Sequence, residues 1–112
     1  MSPITTHILD THLGSPARDV PIQLYRREDG NDVLLAEGRT DDDGRIRDLL
    51  PAGSLRVGVY KMRFDTKAYH SSMGIAGFYP EAVVVFEIEA PDEHYHIPLL
   101  LSPFAYSTYR GS

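Results

Sequence analysis

Apolar and polar positions alternate with a period of two along much of this chain, the pattern of half-buried strands. Residues 20–26 show it plainly: Val20, Ile22 and Leu24 fall on one face and Gln23 on the other. Residues 55–60 repeat it, and Leu55, Val57 and Val59 are expected to point inward. Further strands are expected at 5–9, 33–39, 45–49, 82–88, 94–101 and 104–109. Turn residues separate them: Gly14-Ser15-Pro16, Glu28-Asp29-Gly30-Asn31, Asp41-Asp42-Asp43-Gly44, and the stretches 51–54 and 90–93. One helix is expected over 65–70, with Asp65 accepting backbone N–H bonds at its start and Gly74 and Gly77 limiting its length. Pro98 and Pro103 lack a ladder donor, so they are expected at bulges or edges.

Eight short strands and one helix, with turns about 8–12 residues apart, predict an all-β sandwich. A chain of 112 residues has room for a single domain, taken as residues 1–112. The formal net charge of -5 argues against a nucleic-acid partner, which needs a basic face. No apolar run approaches the roughly 20 residues of a membrane helix, so no membrane association is expected. The chain has no cysteine, hence no disulfide and no thiolate chemistry. Residues 1–7 lack the basic and apolar regions of a signal peptide. The expected location is the cytoplasm.

Three groups of residues could carry chemistry. In His94-Tyr95-His96, positions i and i+2 of a strand share a face, so both imidazoles could serve one site. Both could equally be solvated or packed in a core. Two histidines on one strand also suit zinc, but zinc needs a third and usually a fourth ligand. His12, His70 and the carboxylates show no ligand spacing, so no metal is expected. His7 stands alone on the first strand, where a histidine is usually structural or exposed. Asp43-Gly44-Arg45 is explained by its turn, with Arg45 a surface charge on the simplest reading. The acidic turn fails as a calcium loop, because Arg39 stands where the first ligand belongs and Leu50 at the closing position. Residue types alone lead to an acidic β-sandwich with a two-histidine face, and not to a reaction.

Several separated segments together resemble the 5-hydroxyisourate hydrolases, the transthyretin-related enzymes of urate breakdown. They are Thr6-His7-Ile8-Leu9-Asp10 with Gly14-Ser15-Pro16-Ala17, Thr40-Asp41-Asp42-Asp43-Gly44-Arg45, and Phe78-Tyr79-Pro80-Glu81. The most specific is His94-Tyr95-His96-Ile97-Pro98-Leu99-Leu100-Leu101-Ser102, with Tyr109-Arg110-Gly111-Ser112 after it. Loops 28–32 and 61–77 carry no matching motif.

The resemblance implies a transthyretin-like sandwich of two four-stranded sheets with a short helix after the fifth strand. It implies a homotetramer with active sites where subunits meet. The substrate would be a small purine-derived molecule, 5-hydroxyisourate, whose N1–C6 amide is hydrolysed to 2-oxo-4-hydroxy-4-carboxy-5-ureidoimidazoline without a cofactor. Carried over residue by residue, the catalytic positions are His7, Arg45 and His96. Substrate binding falls on His7, Arg45, Tyr109, Arg110, Gly111 and Ser112, while the role of His94 stays open. The alternatives are a carrier of a flat aromatic ligand on the same fold, and an interaction module that offers an edge strand to a partner.

Overall fold

The computed structural model describes residues 2–112. Nine strands and one helix run in the order β1 (Ile4–Asp10), β2 (Ser15–Pro16), β3 (Pro21–Glu28), β4 (Asn31–Arg39), β5 (Arg45–Ile46), β6 (Gly58–Phe64), α1 (Thr66–Ser72), β7 (Ala82–Ile88), β8 (Tyr95–Ser102) and β9 (Ala105–Thr108). They form a two-sheet sandwich. One sheet is ordered β4-β3-β6-β7, and the other β2-β1-β8-β9 with β5 also paired to β1. The second sheet therefore has five strands rather than the expected four. The extra strand arises because two short segments, β2 and β5, lie end to end along the outer edge of β1.

Inward-facing side chains of both sheets make the core. Ile4 and Ile8 of β1 meet Ile97, Leu99 and Leu101 of β8, and Ile22, Leu24, Met62 and Phe64 close it from the other sheet. Burial of these apolar groups is the main stabilising term, at about 25 cal/mol for each Å² removed from water. Val20, Ile22 and Leu24 point inward as their alternation requires. The β3–β4 hairpin turns on Asp29 and Gly30, both at positive φ, between the paired residues Glu28 and Asn31.

Two expectations for the middle of the chain need correction. Residues 45–49 form a strand only at Arg45 and Ile46. The strand expected at 55–60 begins at Gly58 and runs on to Phe64, burying Tyr60, Met62 and Phe64. Val57 is consequently 60 % exposed, and Val59 lies on the opposite side of its strand from Tyr60. The Tyr60 hydroxyl fixes this phase, donating to the Arg56 carbonyl at 2.8 Å.

The helix behaves as read. Asp65 caps it by accepting from the Ala68 N–H at 3.0 Å, and Gly74 follows its end with φ +68°.

The two prolines occupy different places. Pro103 sits in the tight turn between Ser102 and Ala105, which pair with each other. Pro98 lies within β8, in unbroken register with β1, and no bulge forms there. On its other side the ladder with β9 stops at Leu99–Thr108 and resumes at the bridge His96–Gly111. Both strands advance three residues across this gap, so residues 109–111 keep the register of β9. The missing proline donor coincides with the interruption.

Candidate functional site

The site assembles on the outer face of the five-stranded sheet. In β1 the even positions Ile4, Thr6, Ile8 and Asp10 are buried, which turns Thr5 and His7 outward. Thr5 is paired with His96, and His7 with Pro98, in the parallel ladder of β1 and β8. On the other edge of β1, His7 is paired with Arg45 of β5. Three residues far apart in sequence, His7, Arg45 and His96, thus share one face.

The loop before β5 explains how Arg45 arrives there. Thr40 is buried, accepts from the Val20 N–H at 2.9 Å and donates to the Ala17 carbonyl at 2.8 Å. Asp41 closes the acidic turn by accepting from the backbone N–H groups of Asp43 and Arg45. Gly44 has φ +76° and passes so close to β1 that an added Cβ would sit 2.4 Å from the Ile8 carbonyl oxygen. Only glycine fits that path. The Gly44 carbonyl in turn accepts from the Ile8 N–H at 2.8 Å.

Electrostatics favour neutral imidazoles beside a free cation. The pKa of His96 lies below its ordinary value, chiefly through burial, with further lowering by Arg45, His94 and His7. That of His7 is also lowered, by burial and then by Arg45, against opposing contributions from Asp43 and Asp41. Arg47 engages the Asp41 and Asp43 carboxylates, and Arg110 engages Glu93. Among the described residues, Arg45 has no carboxylate within ion-pair distance. Its guanidinium remains available to an oxygen-rich ligand. An open cavity of about 360 Å³ lies here, lined by Thr5, Thr6, Arg45, Ile46, Arg47 and His94.

Residues 109–112 divide between two places. The Gly111 N–H donates to the His96 carbonyl at 2.8 Å. Tyr109 and Arg110 instead line a cleft of about 250 Å³ at the sandwich edge, with Val84, Phe86, Tyr95 and His96. There the Arg110 guanidinium lies over the Tyr95 ring, 4.4 Å from its centroid, and reaches Glu93 at 3.0 Å. Ser112 is exposed beside Gly111. His96 borders this cleft and also belongs to the outer face, so it joins the two regions.

Sequence reasoning missed Thr5. Its hydroxyl lies 2.8 Å from His96 Nδ1 and 3.1 Å from His94 Nε2, between the two imidazoles. The one available signal was its position two residues before His7, on the same strand face. Among the described residues, no three histidine, cysteine or carboxylate side chains are grouped so as to hold a metal ion. No described helix is long and apolar enough to cross a membrane.

Comparison with known proteins adds a second line of observation. The profile of the HIUase/Transthyretin family matches residues 4–111. A 5-hydroxyisourate hydrolase of Salmonella dublin is 44 % identical over 97 % of this chain and 80 % of its own length. The mouse protein of the same name is 43 % identical over 99 % of this chain and 96 % of its own. Among solved structures, sea bream transthyretin in complex with thyroxine superposes with a TM-score of 0.92 at 38 % identity. That match covers 98 % of this chain and 95 % of the sea bream chain.

Proposed function

The chain belongs to the HIUase/Transthyretin family, and from that premise we propose that it hydrolyses 5-hydroxyisourate through His7, Arg45 and His96. The observation that carries the reading is the convergence of these three residues on one sheet face, through the pairings His7–Arg45 and Thr5–His96. Relatives bearing the hydrolase name match the chain over nearly its whole length.

Water is a poor nucleophile and must lose a proton as it attacks. A neutral imidazole accepts that proton, and the lowered pKa values of His7 and His96 keep both rings neutral near pH 7. We assign His96 as the base. His7 orients the water, and the proton that His96 takes from it passes on to N1 of the substrate, which leaves both rings neutral again. The water oxygen bonds to C6, the N1–C6 bond breaks, and the ring opens to 2-oxo-4-hydroxy-4-carboxy-5-ureidoimidazoline. Arg45 faces the oxygen of C6, where negative charge grows during attack. A positioned donor of this kind is worth about 3–4 kcal/mol of barrier. Tyr109, Arg110, Gly111 and Ser112 bound the site, Gly111 directly beside His96 and Arg110 through the neighbouring cleft. The chemistry asks for no cofactor.

The same reading includes a homotetramer with active sites between subunits. One free edge of each sheet, β7 and β9, supplies the surfaces that would pair. Val83 and Val85 on β7 are exposed, as is Phe104 beside β9, at 73 %. A cytoplasmic location suits a chain that has no cysteine.

A carrier reading draws on the thyroxine complex of the sea bream relative. The two are separated by generating 5-hydroxyisourate with urate oxidase and following its decay with and without this protein. Decay faster than the spontaneous rate establishes the hydrolase. Decay at the spontaneous rate, with retained binding of a flat aromatic ligand, establishes the carrier.

A further inference from the structure

A hydroxyl group carries one proton, and that of Thr5 stands between two imidazoles. Its oxygen is 2.8 Å from His96 Nδ1 and 3.1 Å from His94 Nε2. The two rings lie nearly parallel, 16° apart, with centroids separated by 6.5 Å. Thr5 can donate to only one of them and must accept from the other. The proton positions on His94 and His96 are therefore linked.

Two arrangements satisfy all three groups when both rings are neutral. In the first, His96 Nδ1–H donates to Thr5 and Thr5 donates to His94 Nε2. In the second, His94 Nε2–H donates to Thr5, Thr5 donates to His96 Nδ1, and the His96 proton moves to Nε2. Only the first leaves a lone pair on His96 Nε2. The reading of His96 as the base therefore requires the first.

We propose that Thr5 and His94 are positioning residues that hold the proton of His96 on Nδ1 and so free Nε2 to act as base. The proposal rests on the reading of His96 as the base, and it gives His94 the role that the motif alone left open. It also makes the site responsive to His94. A protonated His94 has no lone pair, so its Nε2–H must donate to Thr5. The hydroxyl then turns to His96 Nδ1, the second arrangement is enforced, and the base is withdrawn. The titratable and charged groups around this pair are His7 on β1, Arg45 on β5, Arg47 lining the same cavity as His94, Glu93 beside His94, and Arg110 held by Glu93.

The test is nitrogen NMR of protein labelled with ¹⁵N-histidine, at a pH where His94 and His96 are neutral, alongside steady-state kinetics. Native protein is expected to show His96 in the Nδ1–H form. Thr5→Val should lose that fixed tautomer and lower kcat roughly ten- to hundredfold, as losing the hydrogen-bond partner of a metal-bound histidine does, with little change in KM. Thr5→Ser, which keeps the hydroxyl, should restore both. His94→Gln, whose amide oxygen can accept from Thr5, should keep the tautomer and a near-native kcat. An Nε2–H form in the native protein overturns the proposal, and so does an unchanged His96 tautomer in Thr5→Val. If Thr5→Val does not fold, the His96 tautomer in the native protein and in His94→Gln decides the matter. A native Nδ1–H form without any hydrolysis would instead retain the linkage and sink the function reading.

Discussion

Gly111 lies against the ring of His96, and a Cβ built at position 111 would stand 2.6 Å from His96 Cδ2. The same Cβ would come within 3.3 Å of Pro98 Cγ. The absence of a side chain at 111 is thus what gives the imidazole its room. Meanwhile the Gly111 N–H holds the chain to the His96 carbonyl. Gly111→Ala is expected to push the ring aside, lowering kcat by tenfold or more with a smaller change in KM. Its unfolding midpoint in urea should stay close to native, because the displaced ring lies outside the core. Native kcat in this variant would show that the ring position does not matter to turnover.

Gly44 makes the corresponding demand on the other side of the site. Its positive φ alone costs a residue with a Cβ about 1–2 kcal/mol, and the 2.4 Å approach to the Ile8 carbonyl adds to that. Gly44→Ala should lower stability by at least that amount in chemical denaturation. It should also weaken substrate binding, since Arg45 follows directly. An unperturbed denaturation midpoint would contradict the close approach.

Asp10 ties β1 to the helix. It is 2 % exposed, accepts from the backbone N–H groups of His12 and Leu13, and receives the Tyr69 hydroxyl at 2.6 Å. Burial and the Asp10 carboxylate push the Tyr69 phenol well above its ordinary pKa. Tyr69→Phe leaves a buried carboxylate short of one donor, a loss of about 1.5–3 kcal/mol for a hydrogen bond to a charged group. Urea denaturation of the variant measures it, and a loss under 0.5 kcal/mol (roughly the effect of a neutral surface change) would count against this account of the motif.

Acid should weaken both the fold and the reaction. The pKa values of His7, His70 and His96 are all lowered, chiefly by burial. His70 is 2 % exposed, and among the described residues neither of its ring nitrogens has a hydrogen-bond partner. In the unfolded chain these groups titrate near 6.5, so just below that pH the unfolded state binds more protons. Stability from these groups is then complete above about pH 6.5 and falls as the pH drops through the lowered native values. His70→Leu should flatten part of that fall. The acid limb of kcat/KM should lie below pH 6.5, because the rings stay neutral to lower pH. A limb above 6.5 would mean the histidines are not the groups that must be neutral.

Much of this could be read along the chain because it is local. Asp29-Gly30 makes the hairpin turn, Asp65 caps the helix, and the alternation at 20–24 sets the inward face of β3. The error at Val57 has a definite origin. Two runs with the same period, 55–59 and 60–64, have opposite phases, and the Tyr60–Arg56 hydrogen bonds decide between them. The site was legible as motifs but not as geometry. Its assembly depends on a parallel ladder joining β1 to β8 across nearly the whole chain, and periodicity carries no information about which strands pair. Likewise, no local pattern gives the contacts of Arg110 with Glu93 and Tyr95.

The most direct test of the account is the decay rate of freshly generated 5-hydroxyisourate with equal amounts of native protein and His96→Asn. Rapid decay is expected with native protein, and a rate close to spontaneous with a folded His96→Asn chain. Equal acceleration by both would remove His96 from the reaction and contradict the mechanism.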